Sequence, residues 1–308
     1  MLTRRNTLLL ALLLGLLGLE FLLRPSINDP GRGTDLFPNF MPADVGGVVI
    51  EEGDQVVHLD YKGGLWVVRE RSDFYAEEFL VNSLLNRLPD LNSSDEVSAE
   101  SSSHRLYGLG EGGTHVQLNS RTGEPILGFR VGRPAEESRG SYLVPDGQDR
   151  VYRAAALGMP QTDPALWLNL HLLASFDMTE VLRVEIGFAD GRKLNLQRLD
   201  NGRWNAAGLE KTIAPTQIQN LMTYGMNAVL RDVVEVERTA SGLDLPVLSL
   251  GFFLEKGVRR LDLGAQLGEG RAASSPDWGS DWVVEVPPST AESLEATAGL
   301  IYSNLNQE

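Results

Sequence analysis

A tight turn followed by a tryptophan occurs twice in this chain, and this pattern restricts the fold more than any other. Gly63-Gly64 precedes Trp66, and Asn201-Gly202 precedes Trp204, 138 positions further on. Strand-like runs flank both turns, which is the sequence signature of a β-hairpin. A tryptophan that enters a strand directly after a turn buries a large apolar surface. We therefore interpret these turns and tryptophans as the structural anchors of two equivalent modules.

The agreement between the two halves extends beyond the tryptophans. Further matches join Ile50 to Ile186, Gly123 to Gly257 and Tyr142 to Trp282, at offsets between 134 and 140 residues. Matched positions in the same order, with the same element types, indicate an internal duplication. The alternative is a chance alignment of generic hairpins, since few residues are identical between the copies.

Short strands dominate the prediction. The first module begins with strand signals at 48–50, 56–59 and 65–68. Further hairpins are predicted at turns through Thr122-Gly123, Asp146-Gly147, Asp190-Gly191 and Lys256-Gly257. The stretch at 92–104 is rich in serine and acidic residues, and we interpret it as a polar loop.

In four segments the apolar residues recur with the period of an α-helix instead of that of a strand. The first follows Ser72 or Asp73 as N-cap, ends at Pro89 and has Phe79, Leu80, Leu84 and Leu88 on one face. The second, 163–176, starts with Asp163 as N-cap and Pro164 at the first helical position, and should link the modules. The third has Ile218, Leu221, Met222 and Val229 on one side, and the last starts with a Ser289/Glu292 capping box.

The N-terminal segment has the composition of a membrane anchor. Arg4 and Arg5 precede an apolar run from Thr7 to Leu23. As a helix this run spans roughly 25 Å, slightly less than a hydrocarbon core of about 30 Å. The two arginines favour a single-pass protein of the cytoplasmic membrane, with a cytoplasmic N-terminus and an extracytoplasmic C-terminal domain. A cleaved signal peptide is the alternative, although bulky residues stand where a small-x-small cleavage site is expected.

These patterns predict an α+β protein of two tandem, similar modules rich in β-hairpins, each with an amphipathic helix, preceded by one N-terminal transmembrane helix. We place a cytoplasmic stub and transmembrane signal anchor at 1–24 and an extended linker at 25–45. The first α+β repeat then covers 46–160, and the linking helix with the second repeat covers 161–308.

Charge and composition exclude several classes of function. The formal net charge is -15, and a field of this sign repels phosphate backbones, so no binding of nucleic acid is expected. The chain contains no cysteine, which excludes disulfides, thiolate metal sites and a cysteine nucleophile.

No motif of the sequence assembles a site for chemistry. "GLGEGG" at 108–113 has the glycine spacing of a dinucleotide-binding motif, but a strand pattern follows it where that motif needs a helix, so we predict a turn. The histidines at 58, 104, 115 and 171 lack the spacing of a zinc site. Ser101–Ser103 with His104 lie in the polar loop, and the acidic pairs at 51–52, 77–78 and 136–137 are interpreted as solvated charge. We predict no catalytic residue, no cofactor and no metal.

The unit "I.I … L.L … G.W.V", followed by a helix ending in paired leucines and then by "L.L G" and "Y.V", resembles the bacterial domain-of-unknown-function family numbered 4340. The resemblance covers residues 46 to about 300. It implies an N-terminal membrane anchor, a unit that can occur twice, and an auxiliary role to the gliding-motility-type ABC transporters whose genes commonly lie beside such proteins. The family supplies no catalytic residues to carry over. The second copy departs from the pattern after Trp204, where "NAAG" replaces "VVRE" and weakens the strand prediction.

We therefore expect a non-enzymatic, membrane-anchored extracytoplasmic accessory protein that binds the partners of an ABC-transporter-type complex. The alternative is a periplasmic module that binds a glycan or peptide in the cleft between the repeats. A hydrolase is the third hypothesis. It ranks last because it would need a buried carboxylate pair, which the sequence does not assemble.

Overall fold

The computed structural model describes residues 34–110, 112–136, 140–154, 157–206, 212–278 and 282–306. Within these ranges the strands are β1 (Val45–Glu52), β2 (Gln55–Lys62), β3 (Leu65–Val68), β4 (Phe74–Tyr75), β5 (Glu96–Ser98), β6 (Thr114–Ser120), β7 (Pro125–Pro134), β8 (Ser141–Pro145), β9 (Val151–Ala154), β10 (Val181–Phe188), β11 (Lys193–Arg198), β12 (Trp204–Ala206), β13 (Thr212–Ile213), β14 (Asp232–Val234), β15 (Leu248–Leu254), β16 (Val258–Leu267), β17 (Gly270–Ser274) and β18 (Val283–Val286). The α-helices are α1 (Glu78–Leu85), α2 (Pro215–Met226) and α3 (Pro288–Asn306).

The predicted membrane anchor, with Arg4 and Arg5, lies outside the described residues. Among the residues that are described, no helix has both the length and the apolar composition needed to span a membrane.

Two antiparallel sheets of nine strands each organise the described chain. The strand order is β4-β3-β2-β1-β6-β7-β8-β9-β5 in the first sheet and β13-β12-β11-β10-β15-β16-β17-β18-β14 in the second. Adding nine to each strand number converts the first order into the second, so the two sheets share one topology. The predicted α+β class is confirmed, and the chain is built from two similar sets of hairpins.

The described chain also divides into two compact units. The first unit contains the residues up to Ala43, Leu84–Gly113 and Phe129–Met159. The second contains Asp44–Ser83, Thr114–Gly128 and Pro160–Glu308, and therefore the whole second sheet together with β1 to β4 and β6 of the first. In the first unit, the side chains of Leu109, Val144 and Val151 form a buried cluster.

Apolar rows across neighbouring strands form the cores of the sheets. Val48 and Ile50 of β1 are fully buried, and Ile50 faces Val57 of β2 and Val116 of β6. In the second sheet Ile186 of β10 faces Leu194 and Leu250 in the same register. The two isoleucines therefore occupy equivalent positions, as their spacing in the sequence predicts.

Two of the helices pack on each other beside the second sheet. On α2 the side chains of Ile218, Leu221 and Met222 are buried, so this part of the predicted apolar face is confirmed, whereas Val229 lies beyond the end of the helix. A Cβ at Gly225 would lie 2.9 Å from the ring of Phe252 on β15, so glycine allows the helix to approach the sheet.

A glycine at a β-bulge is repeated in the two copies. The register shifts after Val131 in β7 and after Leu263 in β16, and Gly132 and Gly264 follow these positions. A Cβ at Gly132 would lie 2.1 Å from the carbonyl oxygen of Tyr107, and a Cβ at Gly264 would lie 2.2 Å from that of Ser241. Contacts this short exclude any side chain without a backbone shift.

The turn that contacts each bulge is repeated as well. Gly108 and Gly242 have left-handed φ angles of 72° and 71°. The following amide of Leu109 donates to His104 O, and that of Leu243 donates to Arg238 O, at the same offset of 134 residues. Gly108, the first glycine of "GLGEGG", is therefore the C-terminal residue of a structural turn, as the strand pattern after it predicts.

The first predicted helix is shorter than expected. Ser72 and Asp73 have left-handed φ angles of 54° and 59°, and Phe74–Tyr75 pair with β3 as β4, so α1 starts only at Glu78. Its buried positions are Val81, Leu84 and Leu85, which have the i, i+3, i+4 spacing of one face, and Leu88 is buried in the 3₁₀ turn Leu88–Asp90 that follows. The prediction that Phe79 and Leu80 lie on this face is wrong, since Phe79 is 74% exposed and Leu80 is also exposed.

The predicted linking helix over 163–176 is wrong. Asp163 does accept a hydrogen bond from the amide of Ala165, as an N-cap would, but only a 3₁₀ turn over Pro164–Trp167 follows. Leu168 is already extended and pairs with Ala76, and His171 pairs with Val229. The apolar side chains at 168, 172 and 173 are buried without a helix, because isolated β-bridges to Ala76 and Val229 pair part of the backbone of this segment.

Three smaller expectations also differ from the structure. Tyr142 lies on β8, whereas Trp282 directly precedes β18, the counterpart of β9, so these two residues are not equivalent. The polar loop at 92–104 contains strand β5, which pairs with β9. The last helix starts at Pro288, so Ser289 is inside it and forms no capping box.

We predict that Gly132→Ala and Gly264→Ala each lower the free energy of unfolding of the purified chain by about 1–3 kcal/mol, because the methyl group overpacks against a backbone carbonyl. Urea unfolding followed by tryptophan fluorescence measures this. Gly299→Ala is the matched control, since Gly299 lies in α3 with open space around it, and there alanine should raise stability by about 0.5–1 kcal/mol. Wild-type stability in both bulge variants would contradict the structural role of these glycines.

Candidate functional site

A cleft of about 650 Å³ opens beside Trp66, within the second compact unit. One wall consists of residues 65–66 and 74–78, which include parts of β3 and β4 of the first sheet. The rest of the lining comes from residues 169, 171 and 173–175, from 226–227 at the end of α2, and from Asp277 and Trp278. Both halves of the chain therefore supply its lining.

Aromatic rings form much of this cleft. Trp66 and Trp278 are buried, and Phe74 meets the Trp278 ring edge to face at a centroid distance of 5.0 Å and an interplanar angle of 81°. The Tyr75 hydroxyl donates to the carbonyl oxygen of Trp278 at 2.7 Å. Ring pairs in this geometry add about 0.5–1.5 kcal/mol each beyond area burial, so the aromatic wall is held in place.

Backbone hydrogen bonds fix the position of the wall. The amide of Ala76 donates to Trp66 O, and the amide of Glu77 donates to Trp167 O at 2.7 Å. On the other side Asn169 N donates to Tyr75 O at 2.9 Å. The segment after β4 is therefore paired with the connection between the two sheets.

Side-chain bonds add a second set of links between the same parts of the chain. Arg71 Nε lies 2.5 Å from Asp232 Oδ1, and the Ser72 hydroxyl donates to Glu235 Oε1 at 2.8 Å. The indole Nε1 of Trp282 donates to Ser72 O at 3.0 Å. The turn through Ser72, which prevents the longer helix, is thus held by residues of the second half.

Asp277 is the buried acid of the cleft. Its side chain is only 6% exposed, and Arg259 Nε lies 3.5 Å from its Oδ2. The same Nε donates a hydrogen bond to Ala174 O at 3.3 Å, and Oδ2 has no hydrogen-bond partner within the described part of the chain. Burial raises the pKa of this carboxyl above its ordinary value, although Arg259 and the backbone amides of Arg260 and Ala174 favour the charged form.

The rim of the cleft adds more negative charge. Glu77 and Glu78 line it together with Asp277, and no lysine or arginine occurs among the described lining residues. Asn169, His171 and Asn227 supply further polar groups. The cleft therefore combines apolar rings with three carboxylates.

A second depression of about 670 Å³ lies on the second sheet and differs in character. Lys193 and Arg260 line it beside Glu185 and Asp262, so its charges have both signs. Gly187 of β10 and Gly251 of β15 also line it.

The two tryptophans that the sequence predicts as structural anchors are both buried, but only one of them lines the cleft. Trp66 and Trp204 are 5% and 4% exposed, and they hold the same register position, opposite Tyr61 on β2 and Arg198 on β11. Trp66 lines the cleft, whereas Trp204 is not part of its lining. Gly63, Gly64 and Gly202 have positive φ angles, and Asn201 Oδ1 accepts a hydrogen bond from Arg203 N.

The residues considered for chemistry are dispersed. His104 Nε2 contacts Asp149 O, and His58 Nδ1 contacts Glu70 Oε1, so neither histidine meets a serine there. In the described residues no group of three or more potential metal ligands was found. Of the acidic pairs, Glu77-Glu78 lies at the cleft, and the Glu136-Glu137 pair extends outside the described residues.

The sequence analysis does not predict Asp277 or Tyr75 as site residues. Asp277 stands next to Trp278 in a stretch that reads as a loop, and its burial depends on contacts with Arg259 and Ala174, far away in the sequence. The one available signal is that "SSPDWGSDW" combines two tryptophans with acids.

The fold and the cleft define a duplicated α+β protein with an aromatic, acidic cleft. The chain belongs to the family described as Domain of unknown function (DUF4340), whose model matches residues 66–245, more than half of the chain. This confirms the family that the sequence pattern resembles. No curated protein and no solved structure matches the chain.

We predict a pH-dependent effect of Asp277→Asn. Because the pKa of Asp277 is raised in the folded state, its contribution to stability is present below the unfolded-state pKa and is lost as pH rises through the folded-state pKa. Asparagine cannot ionise, so the stability of the variant relative to wild type should rise with pH over that range and then level off. Urea unfolding at a series of pH values from about 3 to 7 covers the range in which carboxyl groups titrate.

Asp190→Asn is the control of opposite sign. The amide of Arg192 holds the pKa of Asp190 below its ordinary value, so wild type should lose stability relative to this variant as pH falls. A relative stability of Asp277→Asn that is flat or decreases with rising pH would contradict the role of burial.

Proposed function

We propose that this chain is a non-enzymatic, membrane-anchored extracytoplasmic accessory protein that binds partners of an ABC-transporter-type complex. The family to which it belongs and the anchor-like sequence at the N-terminus support this assignment. The main structural support for this proposal is the cleft beside Trp66. Its lining is suited to binding because it combines aromatic surface with a few polar groups.

The surroundings of the cleft support a role in contacts with another protein. Phe79 and Leu80 follow directly after Glu77-Glu78 of the rim, and both are exposed. Phe79 and Leu80 thus add exposed apolar surface next to the aromatic cleft, and aromatic residues are enriched at protein–protein interfaces. The links from Arg71 and Ser72 to the second half hold the walls of the cleft before a partner arrives.

A second candidate function is a periplasmic module that takes a glycan or peptide directly into the cleft. The rings of Trp66, Tyr75 and Trp278 favour this candidate, since such rings stack against sugar faces and apolar side chains alike.

Photo-crosslinking of the full chain in bacterial membranes tests the proposal. With p-benzoylphenylalanine in place of Phe79, we expect a covalent adduct with a component of an ABC-transporter-type complex, since this position adjoins the cleft. The same group in place of Leu300, an exposed position on α3, serves as the control and should give no such adduct. Recovery of the full chain alone from both positions, or the same adducts from both, would overturn the proposal.

A further inference from the structure

We propose that the cleft beside Trp66 binds an extended peptide segment in which an arginine or lysine is flanked by apolar side chains. This rests on the proposed function, because it names the ligand class of the same cleft. Charge, an unsatisfied acceptor, ring chemistry and size each support it.

The charge of the lining selects a cation. Glu77, Glu78 and Asp277 stand against no lysine or arginine among the described lining residues. The chain as a whole has 42 acidic and 27 basic residues, so its long-range field also attracts cations and repels anions. Acidic peptides and anionic sugars are therefore disfavoured on approach and in the cleft.

The Oδ2 atom of Asp277 is a hydrogen-bond acceptor to which no described residue donates. Its side chain is more than nine-tenths buried, and Oδ2 has no hydrogen-bond partner within the described residues. Arg259 balances part of its charge from 3.5 Å, but the Nε of that arginine donates to Ala174 O instead. A guanidinium or ammonium group of a ligand is a donor of the right charge for this carboxyl.

The aromatic wall suits both parts of such a ligand. Arginine and lysine have long apolar stems that cover rings while their charged ends reach carboxylates. The half-buried ring of Tyr75, which lines the cleft, can also attract a cation directly. Apolar neighbours in the peptide would cover Leu65, which is exposed at the edge of the cleft.

The size of the cleft fits a few side chains. A volume of about 650 Å³ lies within the range of about 300–1,000 Å³ that is typical of small-ligand sites. The depression on the second sheet is similar in volume but has Lys193 and Arg260 in its lining, so it lacks the charge preference.

Isothermal titration calorimetry on the full chain in nonionic detergent tests this inference. The probe is an acetylated, amidated hexapeptide of alternating arginine and leucine, and the matched control peptide has citrulline in place of arginine, which keeps the shape and removes the charge. We expect the arginine peptide to bind at least about tenfold more tightly, and its affinity to fall as salt is added. Equal affinity of the two peptides would overturn the inference.

Variants of the protein locate the binding. Glu77→Gln with Glu78→Gln should weaken binding of the arginine peptide by about threefold or more, as expected for two partly exposed ion pairs. Asp277→Asn should weaken it by about tenfold, because a buried charged acceptor is lost. Glu124→Gln with Glu255→Gln, at exposed hairpin positions, is the control and should bind like wild type. Because the Glu77/Glu78 variant changes surface groups only, it remains informative even if Asp277→Asn does not fold.

Other outcomes separate this inference from the proposed function. Binding of an N-acetylglucosamine tetrasaccharide in place of the arginine peptide would assign the cleft to a glycan and overturn the inference. If the arginine peptide does not bind while the Phe79 adduct still forms, the ligand class is wrong and the proposed function stands. If the peptide binds but no adduct forms, the inference stands and the partner assignment is wrong.

Discussion

The pairing of β4 with the connection between the sheets is the interaction on which the cleft depends. Strand β4 is an edge strand of the first sheet, and an unpaired strand edge is prone to pair with other chains. Here Ala76 pairs with Leu168, and Asn169 N donates to Tyr75 O, so the connection covers this edge. The same bonds take the place of a helix over 163–176 and accompany the entry of residues 169, 171 and 173–175 into the lining of the cleft.

The repeated bulges show what the duplication keeps constant. Gly132 and Gly264 contact a carbonyl oxygen of the turn that ends at Gly108 or Gly242, and the hydrogen bonds of the two turns coincide at one offset. A backbone contact of this kind tolerates no side chain, so it persists while the surrounding side chains differ. Trp66 and Trp204 likewise keep one register position.

The sequence predicted those features of the fold that depend on local chemistry. Glycine turns such as Gly123 and Gly257, and the apolar face of α2, could be found because φ preference and period 3.6 act over a few residues. The error at 163–176 arose because Leu166, Leu170 and Leu173 have the i, i+4, i+7 spacing of a helix, whereas long-range pairing decided the backbone and left Leu166 and Leu170 exposed. In the site, Trp66 was expected as a core residue, but Asp277 was not identified, because distant residues cause its burial.

Divergence between the copies, rather than the duplication itself, forms the candidate site. In the first copy the chain passes from β8 to β9 through a turn at Gly147. In the second copy the corresponding connection from β17 to β18 is longer and contains the 3₁₀ turn Pro276–Trp278, which brings Asp277 and Trp278 into the cleft. Trp66 lines this cleft but its counterpart Trp204 does not, so only one of the two anchors is also part of the candidate site. Because the two repeats supply different groups to its lining, the aromatic and acidic character of this cleft depends on residues in which the copies differ.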